Sequence, residues 1–448
     1  MKNNILVIFS LLLSFFTSAQ RPVFGLRGMS TTSSGSDIDG ILKGASDIGY
    51  KIKYLQTVPH NYDPSTGVAA STTLLNEELK KEDVIDVLGI AHDYGGIVMK
   101  NMAKNSKQLS ALILDGVPNN GSEAIQKMLE KDGNDKPRLQ QTFSQLKALT
   151  GVEGCPSCNL EEKIVTFIES IQANKVAWKD IVPSSPFVKT KPSIPYAIIW
   201  GNIGNKGLSS LMSSYISPSN TKVDFYGSCI NDKDDAQLVA LTKAKDKAVL
   251  NAVFSTYDNL VGLISPIKFN AKDSTISGIK AEGISKLVKG VIDNINSIKD
   301  ADDNLKKLLK CEVYVNLLNA QWNLTLSGNQ FSTIQTPVKV ISKPLEDCLV
   351  GCDNEPDPQV AGWCVQECYN NYEPNQTTTT TYNVISYATR PHDGLLTDVE
   401  QKLDGAAKTY KVEYVNHFQE TDWTQSSVNG AFIDLFNGGA GVAFVVPK

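Results

Sequence analysis

Three side chains far apart in the chain are of the types that carry out nucleophilic hydrolysis when brought together: Asp93, Asp393 and His417. Asp93 stands in Ala91-His92-Asp93-Tyr94-Gly95-Gly96, after the apolar run Val84 to Ile90 and before the stretch Ile97 to Ala103. A strand, a sharp glycine-rich turn and a helix put the central residue on a strained corner above a sheet. A carboxylate there attacks an acyl carbon poorly, because the product is a mixed anhydride. It is competent toward an sp3 carbon bearing a halide or an epoxide oxygen. His417 would then activate water against the resulting ester, with Asp393 orienting the ring. The amides at the start of a helix favour an anion at Asp93. The same comfort fits an inactive site, in which Arg27 is the counter-ion of Asp93. His417 between two carboxylates would then stay protonated.

The remaining histidines are weaker candidates. His60 sits in a polar loop, His92 precedes the elbow, and His392 adjoins Asp393. No Gly-rich phosphate loop, H-E-x-x-H or EF-hand pattern is present, so neither a metal nor a cofactor is expected.

The elements that must position these residues follow a strand–helix rhythm. Arg21 to Leu26 reads as a strand leading into a Gly/Ser/Thr-rich loop, 28–40. Ile41 to Ile48 is helical, Tyr50 to Gln56 a strand, and Thr73 to Lys81 a helix. Strands follow over 84–90, 109–114 and 194–200, and strand-like patterning resumes over 384–387 and 412–415. Alternation at this spacing specifies a parallel α/β sheet. Between 206 and 381 the chain becomes largely helical and polar. That segment reads as an insertion, or cap, between two halves of one sheet, closing in a linker at Thr377 to Thr381.

The chain of 448 residues is 41% hydrophobic and 20% charged, with net charge −5. This composition excludes disordered, coiled-coil and collagen-like chains, and nucleic-acid binding through a general positive field. Lys2, the apolar run Ile5 to Phe16 and Thr17-Ser18-Ala19 make a signal peptide over 1–19, with a mature chain starting near Gln20. A secreted or periplasmic location follows, with no stable membrane span. Eight cysteines are then expected to form disulfides. The repeated C-x3-C spacing of Cys348, Cys352, Cys364 and Cys368 suits two short antiparallel helices joined by Cys348–Cys368 and Cys352–Cys364; a four-thiolate zinc site is the rival reading. Cys155 and Cys158 suit a structural bridge, and Cys229 and Cys311 remain to pair.

Four segments resemble the α/β-hydrolase superfamily, most closely its lipase and esterase branch. They are the elbow at 91–95, the strand and loop 112–122, His392-Asp393-Gly394-Leu395-Leu396, and Asn416-His417-Phe418. Val23 to Met29 is similar to the family's oxyanion loop, and the match covers 22–122 and 384–422. The resemblance implies an α/β-hydrolase fold with a core over 20–205 and 382–448 and a disulfide-bearing cap over 206–381. It implies Asp93 at the nucleophile position, Asp393 as acid, His417 as base, and Met29 and Tyr94 as oxyanion donors. Arg27 and His92 become candidate substrate contacts, and a small or lipid-like ester the expected substrate. The chain departs from the lipase pattern at Asp93, where serine is usual, and at Arg27, where histidine is usual. His92-Asp93-Tyr94-Gly95 instead resembles the dehalogenase and epoxide-hydrolase branches. The expectation is therefore a hydrolase, or a binding protein that keeps the fold without catalysis.

Overall fold

The computed structural model describes residues 20–29, 37–55, 62–130, 147–148, 150–152, 160–203, 211, 232–243, 268–270, 275–277, 281–326, 331–340, 352, 363–367, 378–387 and 390–448. The signal peptide over 1–19, His60, Cys155, Cys158, Cys229, Cys348 and Cys368 lie outside these residues.

Ten strands are described. Six build one sheet: β1 (Arg21–Leu26), β2 (Ile52–Tyr54), β3 (Val87–His92), β4 (Leu109–Asp115), β5 (Tyr196–Asn202) and β10 (Lys408–Glu413). Their order is β10-β5-β4-β3-β1-β2, and every pairing is parallel. Two short antiparallel ribbons stand apart, β6 (Lys268–Asn270) with β7 (Thr275–Ser277) and β8 (Phe331–Val340) with β9 (Thr378–Tyr387).

The helices are α1 (Asp37–Asp47), α2 (Val68–Lys81), α3 (Tyr94–Met102), α4 (Glu123–Leu129), α5 (Leu160–Ala173) and α6 (Lys175–Lys179). After β5 come α7 (Asp232–Lys243), α8 (Ala281–Asn296), α9 (Asp303–Leu326), α10 (Asp398–Gln401) and α11 (Ser426–Phe436).

The near-continuous apolar runs of β3, β4 and β5 follow from burial on both faces. Leu88, Ile90, Ile113 and Ile199 point to one side, where they meet Ile38 and Ile41 of α1 and Phe432 and Phe436 of α11. Val87, Ala91, Leu112 and Leu114 point to the other, against Leu75 and Leu79 of α2, Ile97 and Met99 of α3, and Ile168 of α5. Period-two alternation thus divides one hydrophobic sequence between two cores.

The chain runs from β1 outward to β2, then returns to β3 and proceeds the other way through β4, β5 and β10. The reversal lies between β1 and β3. In open parallel sheets the loops leaving the carboxyl ends of strands part at such a point and leave a crevice. Those two loops carry Arg27 to Met29 and Asp93.

Two expectations change at the carboxyl side of the insertion. Thr378 to Thr381, read as part of a linker, opens β9 instead. Val384 to Tyr387 pairs with β8 in the separate ribbon rather than resuming the main sheet. A strand-like run specifies extended backbone but not its partner, and the β8 segment across the helical insertion supplies it. Cys352 and Cys364 are joined as expected, Cys311 is disulfide-bonded, and the described cysteines include no free thiol. No described helix is long and apolar enough to cross a membrane.

Arg21 at the start of β1 ties the carboxyl end of the chain to the sheet. Its guanidinium donates to Val445 O at 3.2 Å, Ala443 O at 3.1 Å, Ser110 Oγ at 2.8 Å and Asp86 Oδ1 at 3.0 Å. Arg21→Ala is expected to destabilise the fold by about 2 kcal/mol, because half-buried carbonyls lose a charged donor. Arg21→Lys, which cannot span the same acceptors, is expected to recover only part of that loss. Urea unfolding midpoints of the three proteins measure both.

Candidate active site

Asp93 occupies the turn between β3 and α3 with φ 51° and ψ −131°. A non-glycine residue in that region stores about 1–3 kcal/mol of strain. The surroundings hold it: every residue of β3 and α3 is buried. The crossing of the loop after β1 demands small residues. A Cβ on Gly95 would lie 2.4 Å from Arg27 O, and one on Gly28 2.5 Å from Asp93 Cβ.

That close approach lets the Met29 amide donate to Asp93 Oδ2 at 3.1 Å. Asp93 Oδ1 faces His417 Nε2 at 3.6 Å. On the far side of the ring, His417 Nδ1 lies 2.8 Å from Asp393 Oδ2. The imidazole therefore stands between the two carboxylates, and all three side chains are buried.

Each partner is held by its own loop. Asp393 Oδ1 accepts from the amides of Leu395 at 2.7 Å and Leu396 at 2.6 Å, across a turn in which Gly394 takes φ 100°. The His417 amide donates to Asp393 O at 2.8 Å, joining the two loops through the backbone. Asn416 Oδ1 accepts from the amides of Phe418 and Gln419, and the Glu420 amide donates to Asn416 O. This turn folds Glu420 back beneath His417.

Glu420 is the residue that sequence reasoning missed. Its Oε2 is 3.4 Å from His417 Nδ1 and 3.7 Å from His92 Nε2, with both partners buried. Nothing in Asn416-His417-Phe418-Gln419-Glu420 marks the fifth residue; only the turn brings it back. Space for its carboxyl group is made by two glycines. A Cβ on Gly116 would come within 2.1 Å of Oε2, and one on Gly201 within 2.5 Å of Oε1.

The other predicted residues are placed as follows. His92 is buried, with Nε2 3.0 Å from His417 O, so it packs under His417. Arg27 is partly exposed, and no ion pair joins it to Asp93 among the described residues. Tyr94 starts α3, and its buried hydroxyl, like that of Tyr62, has no hydrogen-bond partner among the described residues. His392 Nδ1 accepts from the Gly394 amide at 3.1 Å, and burial pulls its ring down to about 4. That geometry leaves His417 as the ring between the acids.

The electrostatics follow from burial. Burial alone would strip His417 of its proton, but Asp393, Asp93 and Glu420 together hold its pKa well above the ordinary imidazole value. Burial alone would raise Asp93, but His417, His92 and the Met29 amide hold it below the usual carboxylate range. Burial, the neighbouring phenol and the Asp93 charge keep Tyr62 well above the ordinary phenol value, and Tyr94 is raised likewise by burial, Asp180 and Asp93.

His92, His417 and Glu420 also form a buried group whose ligand atoms lie within 4.8 Å of one another. The Nδ1 of His417 is already engaged by Asp393 at 2.8 Å, so a cation there would have to displace that contact.

No protein-family model matches the chain, and no curated protein matches it. Among solved structures it is similar to a probable hydrolytic enzyme from Pseudomonas aeruginosa, at 14% identity and TM-score 0.26, over 41% of this chain and 64% of that one. It is similar to the phospholipase PlaB from Legionella pneumophila, at 18% identity and TM-score 0.27, over 41% of this chain and 40% of that one. It is also similar to an alpha/beta hydrolase fold protein from Chitinophaga pinensis, at 14% identity and TM-score 0.25, over 41% and 72%. The chain thus spans less than two thirds of the length of the first two structures.

The raised pKa of His417 has a consequence for stability. A group whose pKa is raised by folding stabilises fully below its unfolded value and loses that contribution as pH rises through the folded one. The stability difference between the natural protein and His417→Gln is therefore expected to be largest below the ordinary imidazole pKa of 6.5 and to shrink as pH rises beyond it. Lys100, pulled down to about 7 by burial, and Glu400, pushed up to about 7 by burial, titrate in both proteins and cancel in the difference. Denaturant melts across pH 5–10 measure it.

Proposed function

We propose that this protein is a hydrolase of the α/β-hydrolase type that cleaves a carbon–heteroatom bond through a covalent ester on Asp93. One observation carries the reading: the two oxygens of Asp93 are assigned different tasks. Oδ2 accepts from the Met29 amide at 3.1 Å, while Oδ1 faces His417 Nε2 at 3.6 Å.

A carboxylate nucleophile needs that division. Oδ1 attacks an sp3 carbon, the bond to a halide or epoxide oxygen breaks, and the leaving group departs with the electron pair. The product is an alkyl ester of Asp93, with Oδ2 as its carbonyl oxygen. His417 Nε2 then takes a proton from water, and the resulting hydroxide attacks Asp93 Cγ. Negative charge develops on Oδ2, where the Met29 amide already points. Such donors act best when fixed in place before the charge arrives. Collapse breaks the Cγ–Oδ1 bond, and the imidazolium returns its proton to the departing alkoxide.

The charge state of His417 is matched to this order. In the free site three carboxylates keep it protonated. Alkylation makes Asp93 neutral and removes one of them, so the ring becomes a better base as the ester forms. The charge of Asp93 acts on the buried hydroxyls of Tyr62 and Tyr94, and in this reading those hydroxyls would serve as donors to a leaving anion. The ester substrate implied by the lipase resemblance would have to pass through a mixed anhydride. The carboxylate therefore supports an alkyl halide or epoxide above an acyl ester.

The insertion over 206–381 reads as the cap that selects the substrate, and it touches the site. Trp322 of α9 donates through Nε1 to Gly394 O at 2.5 Å, beside the acid. Export fits the Cys352–Cys364 bridge, since disulfides persist in oxidising compartments. A second reading, a binding protein with an inactive site, draws support from the complete burial of Asp93, Asp393 and His417.

A single-turnover experiment separates the two. Haloalkanes and epoxides are mixed with excess protein in oxygen-18 water, and Asp93 and the product are examined by mass spectrometry. The expected result is label in the Asp93 carboxyl group and an unlabelled first product. His417→Ala should release one equivalent of leaving group and hold the ester, while Asp93→Asn should release none. In a second arm with substrate in excess, a burst followed by slow turnover is expected near neutral pH, with turnover rising toward alkaline pH as His417 loses its proton. Absence of label and of burst across the panel would favour the binding protein.

A further inference from the structure

Glu420 is a buried carboxylate to which the reaction assigns no task. It reaches the ring of His417 from the same turn, and its Oε2 lies 3.4 Å from His417 Nδ1. Asp393 Oδ2 lies 2.8 Å from that same nitrogen. One N–H is thus faced by two carboxylates. Neither oxygen of Glu420 has a hydrogen-bond partner among the described residues. Burying a carboxylate is costly unless an opposite charge lies beside it, and the ring of His417 is beside this one.

The backbone around it is shaped to admit it. Gly116, at φ 55°, and Gly201 leave room for its two oxygens at the ends of β4 and β5. His92 at the end of β3 closes the third side, with Nε2 3.7 Å from Oε2. The charged and titratable groups facing His417 are therefore Asp93 from the elbow, Asp393 from the acid loop, Glu420 from its own turn and His92 beneath.

We propose that Glu420 is a positioning residue for His417: a second carboxylate on the ring nitrogen that Asp393 engages, able to keep the ring in its working tautomer when Asp393 is removed. The base then has two alternative supports instead of one. Glu420 also delays the loss of the proton from the ring, so it sets the pH at which His417 becomes a base. This inference builds on the hydrolase reading for its kinetic arm alone.

The test compares Asp393→Asn, Glu420→Gln and the double variant with the natural protein, all labelled with nitrogen-15 histidine. Four histidines give a tractable spectrum, and His417→Gln assigns the resonance. Both substitutions preserve shape, and thermal melts verify folding. Expected are an Nδ1-protonated ring in each single variant, its loss in the double variant, and a lower His417 pKa in Glu420→Gln. In a triad with one acid, the Asp to Asn change lowers turnover about ten-thousand-fold by stabilising the wrong tautomer. Here Asp393→Asn is expected to lower turnover less than about a hundred-fold, with the larger loss reserved for the double variant. The alkaline rise in turnover should move to lower pH in Glu420→Gln. A ring that changes tautomer in Asp393→Asn alone, or a His417 titration unmoved by Glu420→Gln, would overturn the proposal. If no substrate turns over, the hydrolase reading fails, and the nitrogen spectra still decide the role of Glu420.

Discussion

A buried imidazole that answers three buried carboxylates is the constraint on which the rest of this structure depends. Asp93, Asp393 and Glu420 converge on His417 at 3.6, 2.8 and 3.4 Å, and none of the four side chains is open to solvent. Like charges so close and so dry cannot all remain ionised without a cation among them. His417 in its protonated form is that cation. The same ring faces Asp93 at the place where the proposed reaction needs a base. The two duties oppose each other, since a good counter-ion keeps its proton and a base must accept one. In the proposed reaction the conflict is resolved by chemistry, because esterification of Asp93 neutralises one of the anions that hold the proton.

The approach of these groups depends on where backbone can come close. Gly28 and Gly95 let the loop after β1 pass against the elbow, and the Met29 amide reaches Asp93 only because of that contact. Gly116 and Gly201 do the same for Glu420 on the other side of the ring. The strained turn at Asp93 is affordable because buried β3 and α3 fix both of its ends. Small residues in this protein therefore do chemical work at a distance: they set the separations at which charges act.

The loop that carries Asp393 is tied both to the loop of His417 and to α9. Asp393 O accepts from the His417 amide, and the neighbouring Gly394 O accepts from Trp322 of α9. Lys127 of α4 donates to Thr325 O at 2.6 Å, a second tie between α9 and the sheet-covering helices. Packing of α9 and the position of Asp393 are thus mechanically linked.

Much of the architecture was legible in the chain itself. The apolar runs of β1, β3, β4 and β5, the turn at Asp93 and the order of Asp93, Asp393 and His417 are local properties, written in residue type and period. The strand over 384–387 was legible as extended backbone, but its partner was not, because pairing belongs to two segments and not to one. Glu420 was not legible at all. Its position arises from a turn capped by Asn416 and from vacant Cβ positions at the ends of β4 and β5 that lie more than two hundred residues away from it in sequence. The sequence by itself determined which groups could react and which segments would be strands. The tertiary structure alone decided that a third carboxylate faces the same ring, because side-chain electrostatics depend on distance through space, which local sequence does not encode.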